Sequence, residues 1–362
     1  MVRRCKTHCA VQPDTKMRRA QAVFVDLLEP PCMKHSILLA SPVFAEVQER
    51  LAQHFDVAAH PLGLDWSGQA LIAKLQGKAG VLTTGAQRID AALLAACPQL
   101  KICANMAVGY NNFDLPAMTT AGVLATNAPD VLTQTSADFG MALLLATARR
   151  VTESERFLRS GQWRAWRYDM FLGAEVHGRT LGIWGMGRIG QAIAKRGALG
   201  FGMRVIYHNR TRLDAAVEAA CQARYVSQSV LLQTADHLLL ALPYTPSAHH
   251  TIGAPELAQM QPTATLINIA RGGIVDDAAL AQALRNERIA AAGLDVFEDE
   301  PHVHPDLLTL PNVVLTPHIA SATRPTRLAM ANVAADNLIA YLTRQEALTP
   351  LNPEVMHQGE AT

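Results

Sequence analysis

The sequence predicts an α/β protein built from two Rossmann-like, doubly wound parallel-sheet domains with an interdomain cleft. Three observations lead there. From Ile37 onward, short apolar runs alternate with segments of helical character, the order that lays parallel strands between two layers of helices. A glycine-rich turn, Gly185-Met186-Gly187-Arg188-Ile189-Gly190, follows a strand-like apolar run and opens a helix, as at the start of a dinucleotide-binding sheet. Residues 36–134 precede that turn with strands of their own, so they need a sheet of their own. A chain of 362 residues suits two such domains.

The elements follow in order. Ile37-Leu38-Leu39-Ala40 is predicted as the first strand and residues 44–55 as the helix after it. Residues 80–84 form the next strand, 89–96 a helix, and 100–104 and 123–125 two further strands. Residues 136–150 are predicted as a long apolar helix, with Met141-Ala142-Leu143-Leu144-Leu145 buried all round. Thr180-Leu181-Gly182-Ile183-Trp184 reads as a buried strand, 191–199 as its helix and 203–207 as the second strand. Further strands are expected at 225–226, 237–242, 265–269, 290–294 and 312–315, with a helix at 278–285. The last helix, 327–342, can cross back to the first domain. The predicted domains are therefore 36–134 plus 319–350, and 135–318.

Apolar residues make up 49% of the chain and charged residues 17%, with a formal net charge of +1. That balance gives no footprint for nucleic acid or an anionic membrane. The six cysteines (Cys5, Cys9, Cys32, Cys97, Cys103 and Cys221) contain no C-x-x-C pair. Neither disulfides nor a zinc site is indicated, and a reducing cytoplasm is expected. No apolar stretch approaches the ~18 to 20 residues of a membrane span. Residues 1–35 are basic and contain Pro30-Pro31. They lack the apolar core and cleavage site of a secretion signal and are expected to be a disordered extension, with Met33 as the biological start.

Within the turn each glycine has a distinct task. Gly185 permits the tight bend, Gly187 lets the backbone approach a pyrophosphate, and Gly190 lets helix and strand pack closely. The helix N-terminus adds unpaired N–H groups and a positive dipole end. An NAD site needs an acidic residue about 20 residues on, to hold the ribose 2′-OH. Here the chain has Asn209-Arg210-Thr211-Arg212 and no carboxylate until Asp214. Arg210, with Asn209 and Thr211, can bind a 2′-phosphate instead; a polar turn with solvated arginines is the alternative. NADP is the expected cofactor, NADPH preferred, with NAD possible.

Three polar residues lie in loops that follow apolar runs. They are Arg271 in Asn268-Ile269-Ala270-Arg271-Gly272-Gly273, Glu300 in Asp295-Val296-Phe297-Glu298-Asp299-Glu300, and His318 in Thr316-Pro317-His318. Each has a plainer reading as a solvated or structural group, yet α/β sheets bind ligands at such strand ends. Together they suit hydride chemistry on a 2-oxo acid. The alkoxide that develops needs a proton from a nearby acid, and a histidine paired with a carboxylate can give it. An arginine can clamp the substrate carboxylate and polarise the carbonyl. His249-His250 and His302-x-His304 could suggest metal, but neither has a third ligand nearby in the sequence, so no metal is expected.

The stretches 105–114, 185–190, 268–276, 294–301 and 317–322 resemble the D-2-hydroxyacid dehydrogenase family. Within it they are most similar to the glyoxylate/hydroxypyruvate reductase branch, which includes bacterial 2-ketogluconate reductases. The resemblance implies a reductase of small 2-oxo acids in which Arg271 binds substrate, Glu300 orients the histidine and His318 is the general acid/base. It implies that backbone N–H groups of Val108 and Gly109 hold the substrate carboxylate. Arg188 and Ile189 would cover the pyrophosphate, and Leu242 and Pro243 would flank the adenosine. Ala270 and Asp295 would approach the nicotinamide, though Asp295 can equally cap a loop. Thr135, Ile269, Ala320 and Ser321 would complete the cofactor site, beside Arg271 and His318. The segment 136–173 would be the arm of a homodimer, with Trp166, near Trp163, reaching over the partner's substrate. Two rivals on the same fold are an NAD(P)H-sensing regulatory protein and a phosphite or formate dehydrogenase. Met106 and Ala107 near the substrate loop do not favour the second.

Overall fold

Most apolar runs become strands buried on both faces, as parallel strands covered by helices must be, while the edge strand at Ala223–Tyr225 stays partly exposed. The computed structural model describes residues 34–59 and 66–357. The expectations for the first 33 residues, with Met33, Cys5, Cys9 and Cys32, lie outside the described residues.

The first sheet takes β1 (Ser36–Leu39), β2 (Asp56–Ala58), β3 (Gly80–Thr83), β4 (Ile102–Asn105) and β5 (Leu124–Thr126). All pairings are parallel, in the order β2-β1-β3-β4-β5. Its helices are α1 (Ala45–His54), α2 (Gly68–Leu75), α3 (Ala91–Ala96) and α4 (Leu115–Thr120). The sequence pattern missed β2, α2 and α4, each too short for its periodicity to register. Asp114 caps α4 by accepting the Ala117 N–H, with Pro116 in the first turn.

The chain then forms α5 (Thr133–Ala148), α6 (Val151–Arg159), β6 (Thr180–Trp184), α7 (Arg188–Phe201) and β7 (Arg204–His208). It continues through α8 (Ala215–Cys221), β8 (Ala223–Tyr225), α9 (Gln228–Thr234), β9 (His237–Leu240) and α10 (Ala254–Leu257). Next come β10 (Thr265–Asn268), α11 (Asp277–Arg285), β11 (Ala291–Leu294), α12 (Pro305–Thr309), β12 (Val313–Leu315) and α13 (Arg324–Arg344). These strands make a second parallel sheet in the order β12-β11-β10-β9-β6-β7-β8. The strand order reverses between β6 and β9, where such sheets bind ligands beyond their carboxyl ends. The glycine-rich turn leaves β6 at that point.

Two expectations need correction. Met141, Leu143 and Leu144 are buried, but Ala142 is exposed and Leu145 half-buried. A helix lying on a sheet keeps an outer stripe. The inner face of α5 packs on its own sheet, with Gly140 against Ile269, Ile193 and Leu239, and Leu143 and Thr147 close over Gly293. So α5 is core; the exposed apolar groups lie after it, between 151 and 172. The C-terminal helix does cross back: Ala331, Ala334, Ala335, Leu338 and Leu342 of α13 share one core with Ile37, Leu39, Leu82, Ile102 and Leu124. The tail bound to this sheet also runs past residue 350. Asn352, 2% exposed, accepts the Ala125 N–H and donates to the Val123 carbonyl.

Candidate active site

The turn after β6 divides the labour among its glycines as the sequence predicts. Gly185 has φ +102°, which L side chains rarely adopt. A Cβ on Gly190 would overlap the Gly185 carbonyl, whereas one on Gly187 would meet nothing within 4 Å. The open face therefore lies at Gly187, beside the N-terminus of α7 with its unpaired N–H groups. That space and those donors fit a dinucleotide pyrophosphate. Ile189 and Val108 pack against the same apolar cluster of Ala128, Leu132 and Met330, which joins the fingerprint helix to the first sheet's loop. Arg188 pairs with Asp130 at 2.7 Å, both side chains being well exposed. Such a pair contributes little and is easily exchanged for a phosphate. Leu242 and Ala241 press against Gly185, and Pro243 follows, exposed. Thr135 bonds Thr326 of α13 through their hydroxyls, 2.7 Å apart.

At the end of β7 the side chains sort themselves. Asn209 accepts the Met186 N–H at 2.7 Å and its carbonyl accepts the Tyr225 hydroxyl, tying this loop to the glycine turn. Arg212 is committed elsewhere, in a two-pronged pair with Glu218 at 2.9 and 2.8 Å. Tyr207 donates to the same carboxylate at 2.7 Å and accepts the Leu213 N–H. Arg210 and Thr211 stay exposed, and Arg210 enters no ion pair among the described residues. The Arg212 and Tyr207 bonds hold the Glu218 carboxyl down at about 2, against an ordinary 4.5. A depressed carboxyl stabilises the fold fully above its unfolded value and loses that contribution as pH falls through the folded one. Glu218→Gln should therefore lower Tm at pH 6, and the difference from the parent should vanish as pH approaches 2. A constant difference across that range would exclude the charged pair as its source.

The substrate loop is held by amide side chains, two of them buried. Asn105, at 0% exposure, donates to the Gly109 carbonyl and to Asn112. Asn112 donates to the Thr84 and Gln87 carbonyls, and Asn127 holds the Val108 carbonyl at 2.8 Å. The carbonyls of 108 and 109 are thus engaged from behind. Across the cleft, Arg271 donates to Asn111 at 3.3 Å and to the Ala270 carbonyl at 2.7 Å. Its guanidinium lies against Gly109 so closely that a Cβ there would overlap Nη2. Burial pulls the Arg271 guanidinium below the ordinary arginine value, opposed by the charge of Glu300. Asn268 supports this loop, accepting the Ala270 N–H and donating to the Arg271 carbonyl. Ile269 and Ala270 are buried.

His318 stands at φ +52°, a strained setting for a non-glycine residue that costs on the order of 1–3 kcal/mol. Asp295 maintains it. The Asp295 carbonyl accepts the His318 N–H at 2.9 Å. Its carboxylate, fully buried, accepts from Thr316 and from the N–H groups of Ile319 and Ala320. Asp295 thus caps the loop that carries His318. Ala320 and Ser321 follow it, half-buried. His318 Nδ1 lies 2.7 Å from Glu300 Oε2, and the other carboxylate oxygen accepts the Phe297 N–H at 3.0 Å. Burial pushes the Glu300 carboxyl up, but the bond and charge of His318, the Phe297 N–H and Arg271 outweigh it and bring it below the ordinary value. With Nδ1 facing that carboxylate, Nε2 is left for proton exchange. A recess of about 440 Å³ lined by His318, Phe44, Ile319, Arg324 and Arg327 shows that the histidine stands at an opening.

Arg271, Glu300 and His318 thus converge on one cleft, opposite Val108 and Gly109. Sequence reasoning missed the supporting amides Asn105, Asn111, Asn112 and Asn127. The first three lie within the 105–114 stretch it singled out, but amide side chains need a fold to show their partners. Trp166 is 72% exposed, its ring edge-on to Tyr168. His249-His250 meets Glu298, a third ligand-type residue that sequence spacing did not offer.

Comparison with known proteins agrees with this geometry. Residues 141–320 match the family model described as D-isomer specific 2-hydroxyacid dehydrogenase, NAD binding domain. The chain is 46% identical to a glyoxylate reductase of Thermococcus onnurineus over 329 residues, covering 90% of this chain and 98% of that one. It is 44% identical to a glyoxylate/hydroxypyruvate reductase B of Yersinia enterocolitica over 329 residues, covering 90% and 100%. The structure superposes on the NADPH-dependent glyoxylate/hydroxypyruvate reductase of Sinorhizobium meliloti, solved with NADP and malonate, with TM-score 0.77. That match has 37% identity and covers 88% of this chain and 97% of that one.

Proposed function

From the premise that this chain belongs to the D-isomer specific 2-hydroxyacid dehydrogenase family, we propose that it reduces glyoxylate, hydroxypyruvate and 2-ketogluconate with NADPH in preference to NADH. At the coarser level it is an NAD(P)H-dependent reductase of small 2-oxo acids, and the sensor and formate-type readings are not favoured. The observation that carries the proposal is the His318–Glu300 pair at 2.7 Å, in one cleft with an arginine seated on Gly109. Gly185–Gly190 would hold the pyrophosphate of the cofactor, whose reduced nicotinamide would supply a hydride to the carbonyl carbon. Arg271 and the backbone N–H groups of Val108 and Gly109 hold the substrate carboxylate and orient the carbonyl. His318 delivers a proton from Nε2 to the carbonyl oxygen, while Glu300 keeps the ring in register through Nδ1. Ala270 and the turn held by Asp295 would border the nicotinamide end.

The cofactor preference rests on Arg210, left unpaired while Arg212 is bound by Glu218. A steady-state assay with glyoxylate should give a higher kcat/KM with NADPH than with NADH. Arg210→Ala should narrow that ratio by about 10-fold or more, the worth of a hydrogen bond to a charged group. Equal kcat/KM for both cofactors in the parent protein would refute the preference.

We also propose a homodimer. Leu158, Trp163, Trp166, Tyr168 and Leu172 are all more than half exposed along one segment, a concentration of apolar surface that marks an interface. On a partner subunit Trp166 would reach the substrate. Sedimentation equilibrium should return twice the chain mass of 39.1 kDa; a monomer at micromolar concentration excludes the arm. No described helix is long and apolar enough to cross a membrane. The buried free thiols of Cys97, Cys103 and Cys221 support placing the reaction in a reducing cytoplasm, which recovery of the activity in a secreted fraction would contradict.

A further inference from the structure

Outside the cleft, one cluster of side chains has the chemistry of a metal site. His249 and His250 stack ring on ring, with centroids 3.8 Å apart. Glu298 reaches them from the loop after β11: its Oε1 lies 3.0 Å from His250 Nε2 and 3.8 Å from His249 Nε2. One ligand atom from each of the three residues falls within 4.8 Å of the others. A tetrahedral ion with bonds of about 2.0–2.2 Å sets its donors about 3.4 Å apart, so the two measured separations bracket the required edge. The ring nitrogens turned away from Glu298 also have partners. Tyr244 Oη lies 3.3 Å from His249 Nδ1, and Asp276 Oδ2 lies 3.9 Å from His250 Nδ1. A carboxylate or hydroxyl behind a ligating imidazole fixes its orientation and raises its basicity.

We propose that His249, His250 and Glu298 bind a divalent ion of the zinc class, two imidazoles and one carboxylate leaving the fourth position to water. Two imidazoles and one oxygen suit zinc, nickel or copper better than magnesium or calcium, which prefer all-oxygen shells. On binding, the ion replaces the proton shared between His250 Nε2 and the Glu298 carboxylate, and that proton goes to solvent. The ion would also join two separate loops. His250 donates its backbone N–H to the Gly273 carbonyl at 2.7 Å, and Glu298 donates its own to Asp277 at 3.2 Å. The site thus clasps the turn at 249–250 to the loop that ends in Glu300. It would act on that loop from outside, as a positioning element touching neither substrate nor cofactor.

The test is zinc titration calorimetry on the full chain after dialysis against a chelator. Cys5, His8 and Cys9 can take zinc as well, so the site is read as a difference between proteins. The parent should bind one more equivalent than His249→Ala/His250→Ala, and Glu298→Gln should weaken that equivalent by 10-fold or more. Cobalt in the same site should give tetrahedral visible bands without thiolate charge-transfer absorption, and these should be absent from the double variant. Zinc should raise the parent's Tm more than the variant's, since binding to the folded state alone stabilises it. Equal stoichiometry in parent and folded double variant would overturn the proposal. If the double variant does not fold, unchanged zinc affinity in Glu298→Gln overturns it equally.

Discussion

His318→Ala lowers kcat by about 10²–10⁴-fold at saturating 2-oxo acid, the usual contribution of a positioned general acid, while NADPH binding persists. The separation of the two effects follows from where His318 sits. Its ring is held by Glu300, and its strained backbone is fastened to Asp295 and Thr316. Removing the imidazole leaves those backbone bonds, and leaves the glycine turn at 185–190 untouched. Fluorescence titration with NADPH measures binding, and steady-state turnover measures the chemistry. Turnover near that of the parent would exclude the acid role. Glu300→Gln offers a milder version: the ring keeps a hydrogen-bond partner but loses the charge beside it, so the loss should be smaller than for His318→Ala.

Arg271→Ala raises KM for the 2-oxo acid by about 30-fold or more, because truncating one side of a desolvated, hydrogen-bonded charge pair costs about 2–5 kcal/mol. A fall in kcat should accompany it to the extent that the guanidinium also polarises the carbonyl. An unchanged KM removes Arg271 from the substrate site. Gly109→Ala gives an independent check with the arginine still present. The new methyl group would occupy the place of Nη2, so the guanidinium must move and KM must rise in the same direction. Ordinary KM in Gly109→Ala would mean that the close seat of Arg271 on Gly109 has no part in binding.

How far the sequence could be read depended on the range of each signal. The strand at 180–184 was legible residue for residue, because an apolar run between glycines records its own burial. β2, with Asp56 at an exposed edge, was not legible, because three residues carry no period. The glycine turn declared its division of labour, since each glycine answers to backbone atoms a few residues away. The Arg210–Arg212 pair shows the limit. The two look alike in sequence, yet Glu218 engages one and leaves the other, and that choice depends on how α8 packs over β7. In the same way, Met141 to Leu145 look uniformly apolar, but the outer face of α5 is decided by the sheet beneath it.

Local pattern and residue chemistry alone determined the fold class and the dinucleotide turn, and marked Arg271, Glu300 and His318 as candidates. Those signals are short-range: burial period, glycine geometry and polar groups at the ends of apolar runs. Only the tertiary structure decided that Gly109 seats the Arg271 guanidinium, that Asp295 holds His318 in its strained backbone, and that Glu298 meets two histidines from another loop. These are contacts between segments far apart in the chain, joined because parallel strands need long crossovers and present their carboxyl ends side by side. No spacing in the sequence encodes which of those loops come to touch.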